Sequence, residues 1–331
     1  MSRPLPSAGA ISRRRLLSLA LAASATPLAA ACGSSDSSGG TTSSGPTKVK
    51  VGVIPIVDVA PIYLGLKQGF FTAEGLDVSL ETAQGGAAIV PGVVSGQYQF
   101  GFSNCVSLLL ASAQGLPLKV VASGVASTGV QGKDFGAVIV KGDSSIKTAA
   151  DLAGKRVAVN TLKNINTTTV NKVVKDAGGD PSTIKYVELA FPDIVSAIAK
   201  GDVDAGQVVE PFLTIATGQG DRQVVANYAV TDPDLVVGMY FTSQSYASKN
   251  PKVVTSFTTA MNKSLEYASA HPDEARAILT TYTKIDPAVQ KNLVLPKWPT
   301  TIDRDSVQLL ADLAQKDGLI TKQPSVGALL P

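Results

Sequence analysis

Residues 48–81 read KVKVGVIPIVDVAPIYLGLKQGFFTAEGLDVSLE. KVKVGVI (48–54) and DVSLE (77–81) are β-rich runs, and between them Tyr63, Leu66 and Phe70 fall at i, i+3 and i+7, the spacing of one helical face. Strand, helix and strand in that order predict a parallel pair crossed by a helix. QFGFS (99–103) and LKVVASG (118–124) extend the same set of strands.

GAVIVK (136–141) opens a second set, followed by RVAV (156–159), KYVEL (185–189) and DAGQVV (204–209). Val170, Val173, Val174 and Ala177 form a helical stripe that stops at Gly178-Gly179, and Ile194, Ala197 and Ile198 form a shorter one. After VGMYFTS (237–243) the pattern is helical, with Val254, Phe257, Met261, Leu265 and Ala268 on one face and Val307, Leu310 and Leu313 on another. The expected fold is α/β in two lobes, each a mainly parallel sheet flanked by helices. Residues 48–135 plus 240–331 are expected to form lobe 1, residues 136–239 lobe 2, with hinge crossings near 131–139 and 233–241. No internal repeat is visible.

The 331 residues are 44% hydrophobic and 17% charged, enough apolar material for a sizeable core. The net charge of +3 is misplaced. Arg3, Arg13, Arg14 and Arg15 lie in the first 31 residues, which hold no acid; from Cys32 onward 25 basic residues face 26 acidic ones. A body of charge −1 offers nucleic acid no electrostatic attraction. One histidine, His271, and two cysteines, Cys32 and Cys105, are too few for a His- or Cys-rich zinc site. His271 stands in HPDE, which reads as a solvated helix start rather than a catalytic triad. Cys105 reads as a small buried residue, and no structural disulfide is expected. Gly154-Lys155 has Ala149 where a phosphate-binding loop needs its first glycine, so nucleotide hydrolysis is not expected.

Residues 1–31 read as a secretory signal: SRRRLL (12–17), a short apolar run from Leu16 to Ala31, and small residues before Cys32. Arg13-Arg14 followed by Leu16-Leu17 resembles the twin-arginine export pattern. LAAAC resembles the bacterial lipoprotein signal, which would make Cys32 the lipidated first residue of the mature chain. Residues 32–47 then form a flexible linker, since 13 of the 15 residues after Cys32 are Gly, Ser or Thr. Its root-mean-square reach of about 20 Å would hold the body just off a membrane.

The polar and glycine-rich oddities follow the strands. VDVAPIY (57–63), AQGG (83–86) and SNC (103–105) do so in the first lobe, and NTLKNINTTT (160–169), AFPD (190–193) and EPF (210–212) in the second. Ligands of open parallel sheets bind beyond the carboxyl ends of strands, so these loops are expected to converge on one cleft. Gln84-Gly85-Gly86, Ser103-Asn104 and Asn164, Asn166 and Thr167 stand at helix starts, where N–H groups suit an anion and where side chains also cap. Tyr63 and Phe191 suit a flat or apolar ligand part, or packing between helix and sheet. Glu210 suits ligand N–H groups, or simply starts a helix beside Pro211.

The stretches GVIPIVDVAPIYLGLKQGFFTAEGLDVSLE (52–81), GGAAIVPGVVSGQYQFGFSN (85–104), AADLAGKRVAVNT (149–161) and VSAIAKGDVDAGQVVEPF (195–212) resemble a known family. It is the solute-binding proteins of ABC importers, in the branch of sulfonate, taurine and nitrate binders and the NMT1/THI5-like group. The resemblance implies a type II periplasmic-binding fold that closes on a small organic ligand and delivers it to a permease driven by an ATPase. It implies an extracytoplasmic monomer without catalytic residues, cofactor or metal. Carried over by position, Asp58, Ala60, Pro61, Tyr63, Gln84, Gly85, Ser103, Asn104, Asn160, Thr161, Glu210 and Pro211 would line the cleft, joined by Asn164 and Phe191 from the residue reading. NTLKNINTTT departs from the Gly-Ser helix start of sulfonate and nitrate binders. Pyrimidine synthases share the fold but carry a cysteine-rich motif and histidines that this chain lacks. A tethered sensor presenting ligand to a receptor is the other alternative.

Overall fold

The computed structural model describes residues 45–331 except Gln323. The signal segment, Cys32 and the linker as far as Ser44 lie outside the described residues. Among the described residues, ten strands form two sheets. β1 (Thr47–Val53), β2 (Leu76–Thr82), β3 (Phe100–Asn104), β4 (Leu118–Ala126) and β10 (Val236–Ser243) make the first, in the order β2-β1-β3-β10-β4. β5 (Gly136–Val140), β6 (Arg156–Val159), β7 (Lys185–Glu188), β8 (Ala205–Val209) and β9 (Arg222–Val225) make the second, in the order β7-β6-β8-β5-β9.

The two orders are the same once each sheet's strands are counted from where the chain enters it. In both, the strand that arrives from the other sheet, β10 or β5, is antiparallel to its two neighbours. β1 pairs in parallel with β2 from Thr47↔Leu76 to Val53↔Thr82, and β6 does the same with β7. β9 is the one strand absent from the expected set. It is a four-residue edge strand, RQVV, in which Arg222, Gln223 and Val224 are half-buried and Val225 is buried, so no alternation marks it.

Burial explains the pattern. In β1 the valines Val49, Val51 and Val53 face the core while Lys48 and Lys50 face solvent. β5 and β8 are buried along their whole length, as strands covered on both faces must be. The helix Pro251–Ala270 returns to cover the first sheet. It buries Phe257, Met261, Leu265 and Ala268, and Phe257 stacks on Phe100 of β3 at 3.9 Å and 5°.

The chain passes between the sheets at residues 127–135 and 232–235, bounded by β4 and β5 and by the helix Asn227–Thr231 and β10. Residues 236–239, expected in lobe 2, pair in the first sheet, because β10 hydrogen-bonds β4 from Val236 onward. The crossings touch, with Ser127 N donating to the Leu235 carbonyl at 2.9 Å. Buried Asp134 stiffens the first, accepting from Ser127 Oγ at 2.6 Å and from the amides of Thr128 and Phe135 at 2.9 Å.

Candidate functional site

The carboxyl ends of β1, β3, β6 and β8 meet between the two sheets. β6 ends at Val159, and Asn160 follows. Lys163 then takes a left-handed φ of 56°, a costly conformation for a non-glycine, and turns the chain so that Asn164 caps the helix Ile165–Asp176. Asn164 Oδ1 accepts from Asn166 N at 3.0 Å and Thr167 N at 3.4 Å, while Thr167 Oγ1 accepts from Asn164 N.

Beyond the cap, these asparagines join one another. Asn160 Oδ1 accepts from Asn164 Nδ2 at 2.9 Å and Asn166 Nδ2 at 2.8 Å, and the Tyr228 hydroxyl donates to Asn166 Oδ1. All four residues are buried. Asn104, at the end of β3, caps the helix Cys105–Ala113 through Ser107 N at 2.9 Å. The same oxygen accepts from Ile165 N of the other lobe at 3.3 Å.

Asp58 completes this cavity, whose apolar walls include Ile54, Ile56 and Phe191. Its carboxyl is 3% exposed and its Oδ1 has no partner. Burial pushes its pKa up to about 7, opposed by a hydrogen bond from its own backbone amide and reinforced by the like charge of Asp134. The cavity holds about 20 Å³, room for one water. It adjoins a space of about 320 Å³ lined by Gln84, Phe191 and Phe212, where the two phenyl rings lie parallel at 6.0 Å. A groove of about 580 Å³ lies outside that, bordered by Pro211, Ile215 and Tyr282. The lobes touch over the cavity. Asn160 Nδ2 reaches the Gln84 carbonyl at 3.5 Å, and a Cβ on Gly85 would lie 2.5 Å from Thr161 Oγ1.

Asp58, Asn104, Asn160, Asn164 and Phe191 thus meet at one cavity, with Gln84 at its mouth and Gly85 and Thr161 where the lobes touch. The others stand elsewhere. Ser103 lies beneath the start of the helix Gly86–Val94, so close that a Cβ on Gly86 would sit 2.0 Å from its Oγ. Ala60 and Pro61 are buried in the first turn of the helix Ala60–Lys67. Tyr63 stacks on Tyr282 at 3.9 Å instead of pairing with Phe191.

Glu210, in a cis bond to Pro211, turns its carboxylate to its own chain. Oε1 accepts from Thr214 Oγ1 at 2.7 Å and Val294 N at 3.1 Å, and Oε2 from Thr214 N at 3.0 Å. Its carbonyl accepts from Val57 N at 3.0 Å, so Glu210 ties the second lobe to the first. Burial nevertheless lifts its pKa to about 7, because three donors do not replace full hydration. Thr214→Val removes the hydroxyl donor and should cost about 1–2 kcal/mol in urea unfolding.

Tyr228 is the site residue that sequence reasoning missed. It follows the unrecognised β9, and nothing local marks it. His271 lies outside the cavity, stacked on Tyr267 at 3.9 Å with Nδ1 2.8 Å from the Tyr267 carbonyl. Cys105 is buried, and its thiol pKa is pushed well up by loss of hydration. Among the described residues, no cluster of three His, Cys, Asp or Glu side chains could hold a metal ion.

Two five-stranded lobes closing over a polar cavity are the architecture of type II periplasmic-binding proteins. The chain belongs to the NMT1/THI5-like family, whose sequence pattern matches residues 56–275. It is 25% identical over 225 residues to the formylaminopyrimidine-binding protein of Halalkalibacterium halodurans, covering 66% of this chain and 65% of that one. It is 24% identical over 251 residues to the 4-amino-5-hydroxymethyl-2-methylpyrimidine phosphate synthase of Candida albicans, covering 72% and 70%. Among solved structures, the alkanesulfonate-binding protein SsuA of Xanthomonas axonopodis pv. citri, bound to MOPS, superposes with a TM-score of 0.73. That match has 19% identity and covers 87% of this chain and 99% of SsuA.

Proposed function

We propose that this chain is the lipid-anchored, extracytoplasmic solute-binding component of an ABC importer. It captures a small organic ligand between its lobes, closes about the paired crossings, and presents the closed form to a permease. One observation carries the reading: side chains from both lobes enclose a single buried polar cavity, and the lobes touch directly above it. The cavity as it stands admits one water, so a ligand enters only when the lobes part. The signal-like first 31 residues, Cys32 and the linker support export and anchoring. The crossings support two lobes moving as bodies about residues 127–135 and 232–235.

The Candida relative favours an enzyme as the second reading. Against it, Cys105 is sealed in the core and His271 lies outside the cavity, so neither a thiol nor an imidazole lines it.

The test is thermal unfolding of the mature body against taurine, alkanesulfonates, nitrate and aminopyrimidines. A ligand present at a hundred times its dissociation constant adds about 2.7 kcal/mol and raises the midpoint by several degrees. A rise with one chemical class supports the reading, and a flat response across the panel counts against it. Incorporation of labelled palmitate that disappears in Cys32→Ala tests the anchor separately.

A further inference from the structure

Every oxygen that caps a helix start at the cavity is already used. Asn104 Oδ1 takes Ser107 N and Ile165 N, and Asn164 Oδ1 takes Asn166 N and Thr167 N. The amide nitrogens are engaged as well: Asn104 Nδ2 with Ser107 Oγ, Asn164 Nδ2 and Asn166 Nδ2 with Asn160 Oδ1, and Asn160 Nδ2 with the Gln84 carbonyl. At the starts of the helices Cys105–Ala113 and Ile165–Asp176 the N–H groups that suit an acidic ligand are therefore largely taken by asparagine side chains, while the start at Gly86 carries no side-chain cap. The group left over in the cavity is Asp58 Oδ1, buried and unpartnered. A buried acceptor without a protein donor is costly, and a ligand that supplies the donor offsets that cost.

We propose that the ligand enters with an N–H donor directed at Asp58, either a protonated primary amine or the exocyclic amine of an aminopyrimidine. This rests on the solute-binding reading and names the class of cargo. The body of the ligand then lies along Ile54 and Ile56 toward the adjoining space that Phe191 and Phe212 help to line, whose 320 Å³ suits a small organic molecule. With Asp58 ionised, above about pH 7, an ion with acceptors alone, such as nitrate, meets a carboxylate and is repelled.

Matched pairs test this: taurine against ethanesulfonate, and 4-amino-2-methylpyrimidine against 2,4-dimethylpyrimidine. Each is added at millimolar concentration to wild type and to Asp58→Asn, with the unfolding midpoint read near pH 8. The expected result is a rise with the amino member of at least one pair and none with its partner. For that compound Asp58→Asn should weaken binding by about tenfold or more, from the loss of a charge-assisted hydrogen bond. Circular dichroism confirms that the variant is folded. An equal rise with ethanesulfonate or 2,4-dimethylpyrimidine, or unchanged affinity in Asp58→Asn, overturns the donor assignment and leaves the solute-binding reading in place. A rise with nitrate or alkanesulfonates alone does the same. No rise with any compound of either panel removes both.

Discussion

Asp58→Asn should make the ligand-free protein more stable, and the gain should grow with pH. The carboxyl has a pKa of about 7 in the folded state against 3.8 as its ordinary value, so between those values the folded chain holds a proton that the unfolded chain has lost. Stability therefore falls as pH rises through this window and levels off above about 7. Fully ionised, the group costs the fold about 4 kcal/mol. Asparagine keeps the shape and cannot ionise. Its advantage over wild type should widen by about 2–3 kcal/mol between pH 5 and pH 8, measured by urea unfolding at each pH.

Glu210, raised from 4.5 to about 7, gives both proteins a second slope of the same sign, which cancels in the comparison. A pH-independent difference would show that Asp58 is not held out of water. A gain in stability paired with a loss of ligand affinity is the signature of a residue kept for binding rather than for folding.

The two-lobe organisation could be read from the sequence because it depends on local signals. Nine of the ten strands of the described residues stand in the sequence as β-rich runs, and the stripe through Val307, Leu310 and Leu313 is buried as its spacing predicts. The caps could be read for the same reason, since Asn164 and Asn104 act on amides two or three residues away. What could not be read is which distant element a side chain meets. Tyr63 looked like a ligand contact, but its partner is Tyr282, from a segment with no periodic signal. Glu210 was balanced between ligand and helix start. The structure sets its carboxylate against Thr214, as a helix start would, and against Val294, which no local pattern links to it. Tyr228 was hidden because its value lies wholly in the bond to Asn166 across the lobe. Asp58 stands in the right loop, but only the folded structure shows that its Oδ1 is buried without a protein donor.

Gly85→Val should abolish tight binding while leaving the fold intact. Gly85 has φ −168°, extended backbone open to any residue, so the substitution does not strain the chain itself. The obstacle lies across the cleft, where a Cβ would stand 2.5 Å from Thr161 Oγ1 and 3.3 Å from Asn160 Nδ2. Both atoms belong to the other lobe. The clash is therefore relieved by parting the lobes rather than by unfolding, and only the closed state is penalised. Overpacking of this kind costs about 1–3 kcal/mol, and binding that requires closure weakens in proportion, by about tenfold to a hundredfold. The unfolding midpoint without ligand should stay within a degree or two of wild type, and the radius of gyration from solution scattering should increase. Thr161→Ala in the same chain removes the struck hydroxyl and should restore part of the affinity. If Gly85→Val lowers the midpoint and leaves affinity unchanged, the contact supports folding rather than closure. If the double variant binds no better than Gly85→Val, Thr161 is not what the new side chain strikes.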